Sequence, residues 1–183
     1  MKDYTKDTTT KMTSGMFSSR TEEWETPQYV YDWLHSMFHF TLDPCCTIKN
    51  QKCDKGFAID NGYDGLKESW ENEFVFMNPP YGREIYKWMQ KAFVAIRELS
   101  PAHLIVCLVH ARTDTRWFHD FAMKANEIWF IKGRLKFGDG KQSAPFPSCV
   151  VIFQREKISV PIIKGKTAVS YTHLRAHETG RNL

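Results

Sequence analysis

The sequence predicts an α/β domain with a mostly parallel central sheet flanked by helices. Three observations carry this. Apolar runs of strand length occur at Phe74–Met77, 104–109 and 149–153. Helical spacing marks Ile85, Trp88, Met89, Ala92, Ile96 and Leu99 between the first two runs. Polar or proline-bearing turns then follow the strand ends. Parallel neighbours need a crossover segment, so a strand–helix–strand alternation reads as a parallel sheet.

The elements follow in order. Residues 1–15 are rich in Thr, Lys and Asp, with no apolar stretch, and read as a disordered tail without a signal peptide. One domain is expected over 16–165. Thr26-Pro27 reads as an N-cap with proline in the first helical turn, and Val30, Trp33, Leu34 and Met37 keep helical spacing after it. Residues 38–42 read as the first strand, ending at Asp43, and Phe57-Ala58-Ile59 as a weak second. Thr113 and Asp114 can cap a helix carrying Trp117, Phe118 and Phe121. Glu127–Ile131 is a further strand, and 134–137 an outer strand or hairpin arm. Residues 166–183 show no apolar period and read as a second tail. Within it, 169–179 resembles the translation of a sequencing adapter, and its His173 and His177 receive no role.

Composition narrows the class. The 183 residues carry a formal net charge of +4 and a pI near 8.8, which permits nucleic-acid binding. The longest strongly apolar run is too short to span a membrane. Five cysteines, odd in number and irregularly spaced, read as reduced thiols. Cys45, Cys46 and Cys53 lack a paired Cys-x-x-Cys spacing, so no metal is expected.

Chemistry is concentrated at Asn78-Pro79-Pro80-Tyr81-Gly82, directly after the Phe74–Met77 run. Neither proline has an N–H, so neither extends a sheet, and each restricts the residue before it. The stiff turn presents two acceptors, the Asn78 side-chain oxygen and the Pro79 carbonyl, beside the aromatic face of Tyr81. Those parts suit a planar amine. Acceptors on both amine hydrogens favour a pyramidal nitrogen, freeing its lone pair to attack a methyl group. Asn78 is an amide and no strong base, so its role is positioning and polarisation. The motif alone also suits a glutamine amide or a guanine amine in RNA. A methyltransferase-like module that binds without catalysis is a third possibility.

Several segments join this motif in a fixed order: Glu23-Trp24-Glu25-Thr26-Pro27, Leu42-Asp43-Pro44-Cys45, Asp64-Gly65-Leu66, Ala111-Arg112-Thr113-Asp114-Thr115, residues 130–137 and Ala144-Pro145-Phe146-Pro147-Ser148. Together they resemble the phage-encoded DNA adenine methyltransferases of Dam type. The resemblance implies the Rossmann-like fold of methyltransferases dependent on S-adenosylmethionine (SAM), with SAM as cofactor. The acceptor it implies is adenine in double-stranded DNA, flipped from the stack. It implies neither a membrane nor an obligate protein partner, and a cytoplasmic setting in a bacterial host.

The resemblance also assigns residues. Asn78, Pro79, Pro80 and Tyr81 form the catalytic turn. Trp24, Thr26 and Pro27 border the methionine end of SAM. Asp43 and Cys45 match the loop after the first strand, where Pro44-Cys45-Cys46 replaces the more usual glycine-rich turn. Asp64 matches the residue that contacts the cofactor's adenine amine, and Asp60 is the candidate ribose ligand. Their bland alternatives are a helix cap for Asp43 and a simple turn for Asp64. A flipped base needs an aromatic partner. Tyr81 is the first candidate and Phe146, which also suits a buried anchor, is the second. Arg112, Arg116, Lys132, Arg134 and Lys136 are candidate phosphate contacts, and Arg83 a contact to the backbone or the orphan base.

Overall fold

A computed structural model describes residues 24–98, 100–137, 143–155 and 162–166. Both expected tails lie outside the described residues, apart from Lys166. Seven strands form one sheet: β1 (Leu42–Cys46), β2 (Lys55–Ala58), β3 (Phe74–Met77), β4 (Leu104–His110), β5 (Glu127–Ile131), β6 (Ser148–Gln154) and β7 (Ile162–Lys166). Their order is β2-β1-β3-β4-β6-β5-β7. Only β6 runs against the others. The mostly parallel α/β sheet is therefore as the sequence predicts. The short strand β7, parallel to β5, was not expected from its Ile162-Ile163-Lys164-Gly165-Lys166 sequence.

The faces of the sheet follow from alternation. Val75 and Met77 pack with Trp88, Met89 and Ala92 of α2 (Ile85–Ala95) and with Trp117 and Phe118 of α3 (Arg116–Asp120). Phe76 points the other way, to Val30, Tyr31 and Leu34 of α1 (Gln28–Phe38). The central strand β4 is buried along its whole length, as a two-sided core strand must be.

Four local expectations change. Pro27, extended at φ −59° and ψ 137°, takes the N-cap of α1, so Thr26 is no cap and is buried instead. Helix α1 continues to Phe38, and His39 ends it in the left-handed region at φ 51°. The first strand therefore begins only at Leu42, and 38–41 is not strand. Thr113 and Asp114 do not cap α3, whose N-cap position is Thr115. Residues 134–137 form neither strand nor hairpin arm, although the Leu135 carbonyl accepts the Ala144 N–H at 2.8 Å.

The shift of β1 matters most, because it places Asp43, Pro44 and Cys45 inside the strand. Asp43 pairs with Gly56, whereas Cys46 pairs with Ala58. Three steps on β1 thus oppose two on β2, a bulge centred where Pro44 has no N–H to give the ladder. On the other side β1 and β3 share only the Leu42–Val75 register. The two strands splay beyond it. The chain also reverses its winding here, from β1 outward to β2 and back across to β3, and such switch points open a crevice at the carboxyl ends.

Candidate active site

A cavity of about 810 Å³ occupies that crevice. Its lining brings together Trp24, Thr26, Asp43, Cys45, Asp64, Asn78, Pro79 and Pro80, eight of the residues singled out by sequence. The size and mixed polarity suit a nucleoside-sized ligand.

Asn78 leaves β3 at its carboxyl end. Its Nδ2 donates to the Trp24 carbonyl at 2.5 Å, and its Oδ1 accepts the Tyr81 hydroxyl at 3.3 Å. Only the N–H end of an amide can face a carbonyl, so Trp24 fixes which way Asn78 points. The Asn78 oxygen keeps a second lone pair beyond the weak Tyr81 contact. Gly82 follows at φ 92°, a conformation suited to glycine, and lets the chain turn into α2.

Tyr81 does not offer an open face. It is 5% exposed, with His110 at 4.8 Å and Phe146 edge-on at 5.2 Å between ring centroids. Burial pushes its phenol well above the usual range. Phe146 is half-buried and also meets Trp24 at 5.1 Å and Phe137 at 6.1 Å. An aromatic wall of Trp24, Phe137 and Phe146 therefore packs against Tyr81 at the end of the Asn78–Tyr81 turn.

Asp43 is neither a helix cap nor a free loop carboxylate. It is 3% exposed, and its two oxygens accept the Cys45 and Lys52 N–H groups at 3.2 and 3.1 Å. It thus ties the β1 bulge to the turn that follows. Burial raises its pKa to about 6, against the lowering effect of those two bonds. A raised carboxylate pKa means that the folded state holds the proton more tightly than the unfolded chain. This contribution is complete below about pH 4 and is lost as pH rises toward 6. We expect Asp43→Asn to abolish that component, on the order of 3 kcal/mol by linkage. Urea unfolding of both proteins from pH 4 to 7 checks it: the two stability curves should converge or cross, and parallel curves would refute it.

Asp64 does form a turn: its Oδ1 accepts the Leu66 N–H at 3.1 Å, and Lys67 pairs with Oδ2 at 3.1 Å. The Lys67 contact holds its carboxyl below the ordinary range. It lines the cavity all the same. Gly65 beside it packs against the bulge, and its carbonyl accepts the Trp70 indole N–H at 2.9 Å. Asp60 is a different case. It is exposed, accepts the Ile48 N–H at 2.8 Å, and is not among the cavity-lining residues. The compressed segment after β2 turns it outward, so the structure does not bring this candidate ribose ligand to the site. Pro27 likewise stays behind the lining, serving the first turn of α1.

Sequence reasoning missed Lys52. Its side chain is 13% exposed, lines the cavity, and lies 3.8 Å from Glu25 and 3.3 Å from Gln28. No spacing signals a lysine brought in from a turn. Trp88 and Phe137 also line the cavity, although their apolar character marked them only as core. Cys46 and Cys53 are each pushed up to about 12 by burial and remain thiols. None of the five cysteines is joined in a disulfide.

The basic candidates gather at one edge. Strands β3, β4 and β5 point the same way, so Arg83, Arg112 and Lys132 all emerge beyond their carboxyl ends. Arg83, Arg112, Lys132, Arg134 and Lys136 are exposed, while Leu135 and Phe137 turn inward between them. Arg116 is partly committed: its guanidinium pairs with Asp120 at 3.1 Å and lies 5.2 Å over Tyr86.

A second buried feature lies behind Tyr81. His110 ends β4 and Ser148 begins β6, and the two are register partners. His110 Nδ1 and Ser148 Oγ are buried without a hydrogen-bond partner among the described residues. Burial lowers the His110 pKa, which favours the neutral imidazole.

Among comparisons with known proteins, a family model described as DNA N-6-adenine-methyltransferase (Dam) matches residues 13–179. No curated protein matches the chain.

Proposed function

The chain belongs to the DNA N-6-adenine-methyltransferase (Dam) family and is an adenine-specific DNA methyltransferase; from that premise we propose how its own residues carry the reaction. The observation that supports the reading best is the Trp24–Asn78 bond. It aims the Asn78 oxygen away from the protein backbone, ready to accept one hydrogen of the adenine amine. The Pro79 carbonyl accepts the other. Together they hold the nitrogen in place and raise the share of its lone pair available for attack.

SAM is the methyl donor in this reading, and its sulfonium group supplies an activated methyl. The cavity has room and suitable partners for it. Trp24, Thr26 and Lys52 would hold the methionine end, with the Lys52 ammonium near the carboxylate and Glu25 near the amine. Cys45 and the Asp43-braced bulge form the floor. Asp64 retains free lone pairs on its carboxylate for an adenine amine.

The DNA is double-stranded, and the target adenine leaves the stack to reach Asn78. Arg83, Arg112, Arg116, Lys132, Arg134 and Lys136 form the phosphate-facing edge. No obligate protein partner is invoked. No helix among the described residues is long and apolar enough to cross a membrane. The resemblance supports action in the cytoplasm of a bacterial host, from a phage or prophage gene.

Incubation with SAM and unmethylated duplex DNA, followed by digestion to nucleosides, tests the reading. N6-methyladenine is the expected product, and methylated RNA or protein beside unmodified adenine would overturn it. Single-molecule sequencing of the same DNA then gives the target sequence. We further expect Lys136→Ala to weaken binding on all duplex sequences and to reduce the slope of log affinity against log salt by about 1. An unchanged slope would remove Lys136 from the DNA-binding edge.

A further inference from the structure

We propose that His110 and Ser148 form the polar end of the adenine pocket and donate hydrogen bonds to ring nitrogens of the flipped base. The proposal rests on the adenine-flipping reading above and adds the residues that recognise the ring. A buried polar atom without a partner is costly, and such atoms in native proteins need an explanation. Here two of them stand side by side at one register position, His110 Nδ1 and Ser148 Oγ. Their residues are 5% and 1% exposed. The pair lies against the catalytic turn, since the His110 ring is 4.8 Å from Tyr81, whose hydroxyl reaches Asn78.

What separates the pair from the cavity is the aromatic wall. Phe146 meets Tyr81 edge-on at 76° and His110 edge-on at 80°. Tyr81 is buried beside it, so a base can stack on that ring only if Phe146 moves. Neither flanking proline has an N–H to lose, and the segment is held at its ends by the Ala144 N–H on the Leu135 carbonyl and the Ala111 N–H on the Pro147 carbonyl, both at 2.8 Å. With Phe146 withdrawn, a base whose amine is held at Asn78 offers three acceptor ring nitrogens, N1, N3 and N7, since N9 is bound to the sugar. A serine hydroxyl and a neutral imidazole can each donate one hydrogen bond to such acceptors. Trp117, 5.4 Å from His110, backs the imidazole.

The test uses full-length enzyme, Ser148→Ala and His110→Phe. Both substitutions remove an unpaired buried polar group, so the melting temperature should stay level or rise. SAM affinity should be unchanged. Turnover at limiting DNA should fall about tenfold or more for each variant. The readout specific to recognition is a cycle against base analogues. On duplexes carrying 1-deazaadenine, 3-deazaadenine or 7-deazaadenine at the target, wild-type enzyme should lose activity on the analogue that lacks the contacted nitrogen. The variant that has lost the matching donor should lose no more on that analogue than on adenine. Wild-type methylation of adenine in the same assay holds the functional reading fixed. Variants that match wild type on all four duplexes would overturn the assignment of His110 and Ser148 alone.

Discussion

Replacing Asn78 by alanine is expected to reduce methyl transfer by about a thousandfold, in line with the loss of a group that acts on the transition state. SAM binding should change little, because the Asn78 side chain addresses the acceptor amine. The structure adds a sharper test with aspartate. Asn78→Asp keeps the acceptor oxygen but puts a second oxygen in place of the N–H group that bonds to the Trp24 carbonyl. Oxygen would then face oxygen, and the side chain would turn from its position. Aspartate should therefore rescue poorly, although it is the better acceptor and base. Steady-state turnover with saturating SAM and duplex DNA, beside calorimetric SAM titration, separates the outcomes. Near-normal turnover in Asn78→Ala would refute the role of the amide, and near-normal turnover in Asn78→Asp would refute the orienting role of Trp24.

The second large effect is expected from Gly65→Ala. A Cβ at this position would lie 1.9 Å from the Pro44 carbonyl oxygen, 2.9 Å from its carbon and 3.1 Å from Trp88. The first two are backbone atoms and cannot rotate away. The Asp64–Leu66 turn would have to leave the β1 bulge, straining the Trp70 indole bond to the Gly65 carbonyl at a side chain that is fully buried. Overpacking of this kind costs about 3 kcal/mol. That corresponds to roughly 6 to 12 °C in melting temperature for a chain of this size. Asp64 moves with the turn, so SAM affinity should fall by about tenfold or more. Thermal unfolding and SAM titration of the same preparation check both. Unchanged values in both would show that the approach of Gly65 to Pro44 is not required.

Much of this site was readable before any coordinates. The Asn78-Pro79-Pro80-Tyr81 turn announces itself because two prolines after an apolar strand allow little else. Trp24, Thr26, Asp43, Cys45 and Asp64 were reached through their resemblance to known segments, and the fold does gather them at the cavity. Asp60 lies outside the cavity lining because the turn at Ile59–Asn61 leaves it exposed, and an acidic residue near a strand end is a weak signal for such a position. Tyr81 was expected to be an open platform, yet its aromatic neighbours come from distant parts of the chain. The strand reading of 38–42 failed because alternation of apolar and polar residues over five positions also fits a helix end followed by a reversal at His39.

The sequence by itself determined the α/β class, the core strands β3 and β5, and the stiff turn at Asn78–Tyr81. Each is set by local rules, the spacing of apolar side chains and the restricted backbone of proline. Tertiary structure alone decided that Trp24 orients Asn78, that Gly65 supplies the close approach to a strand lacking a glycine-rich turn, and that His110 and Ser148 meet behind Tyr81. Those contacts join residues far apart in the chain through sheet order and register. A pattern read along one segment holds no record of which strand will lie beside it.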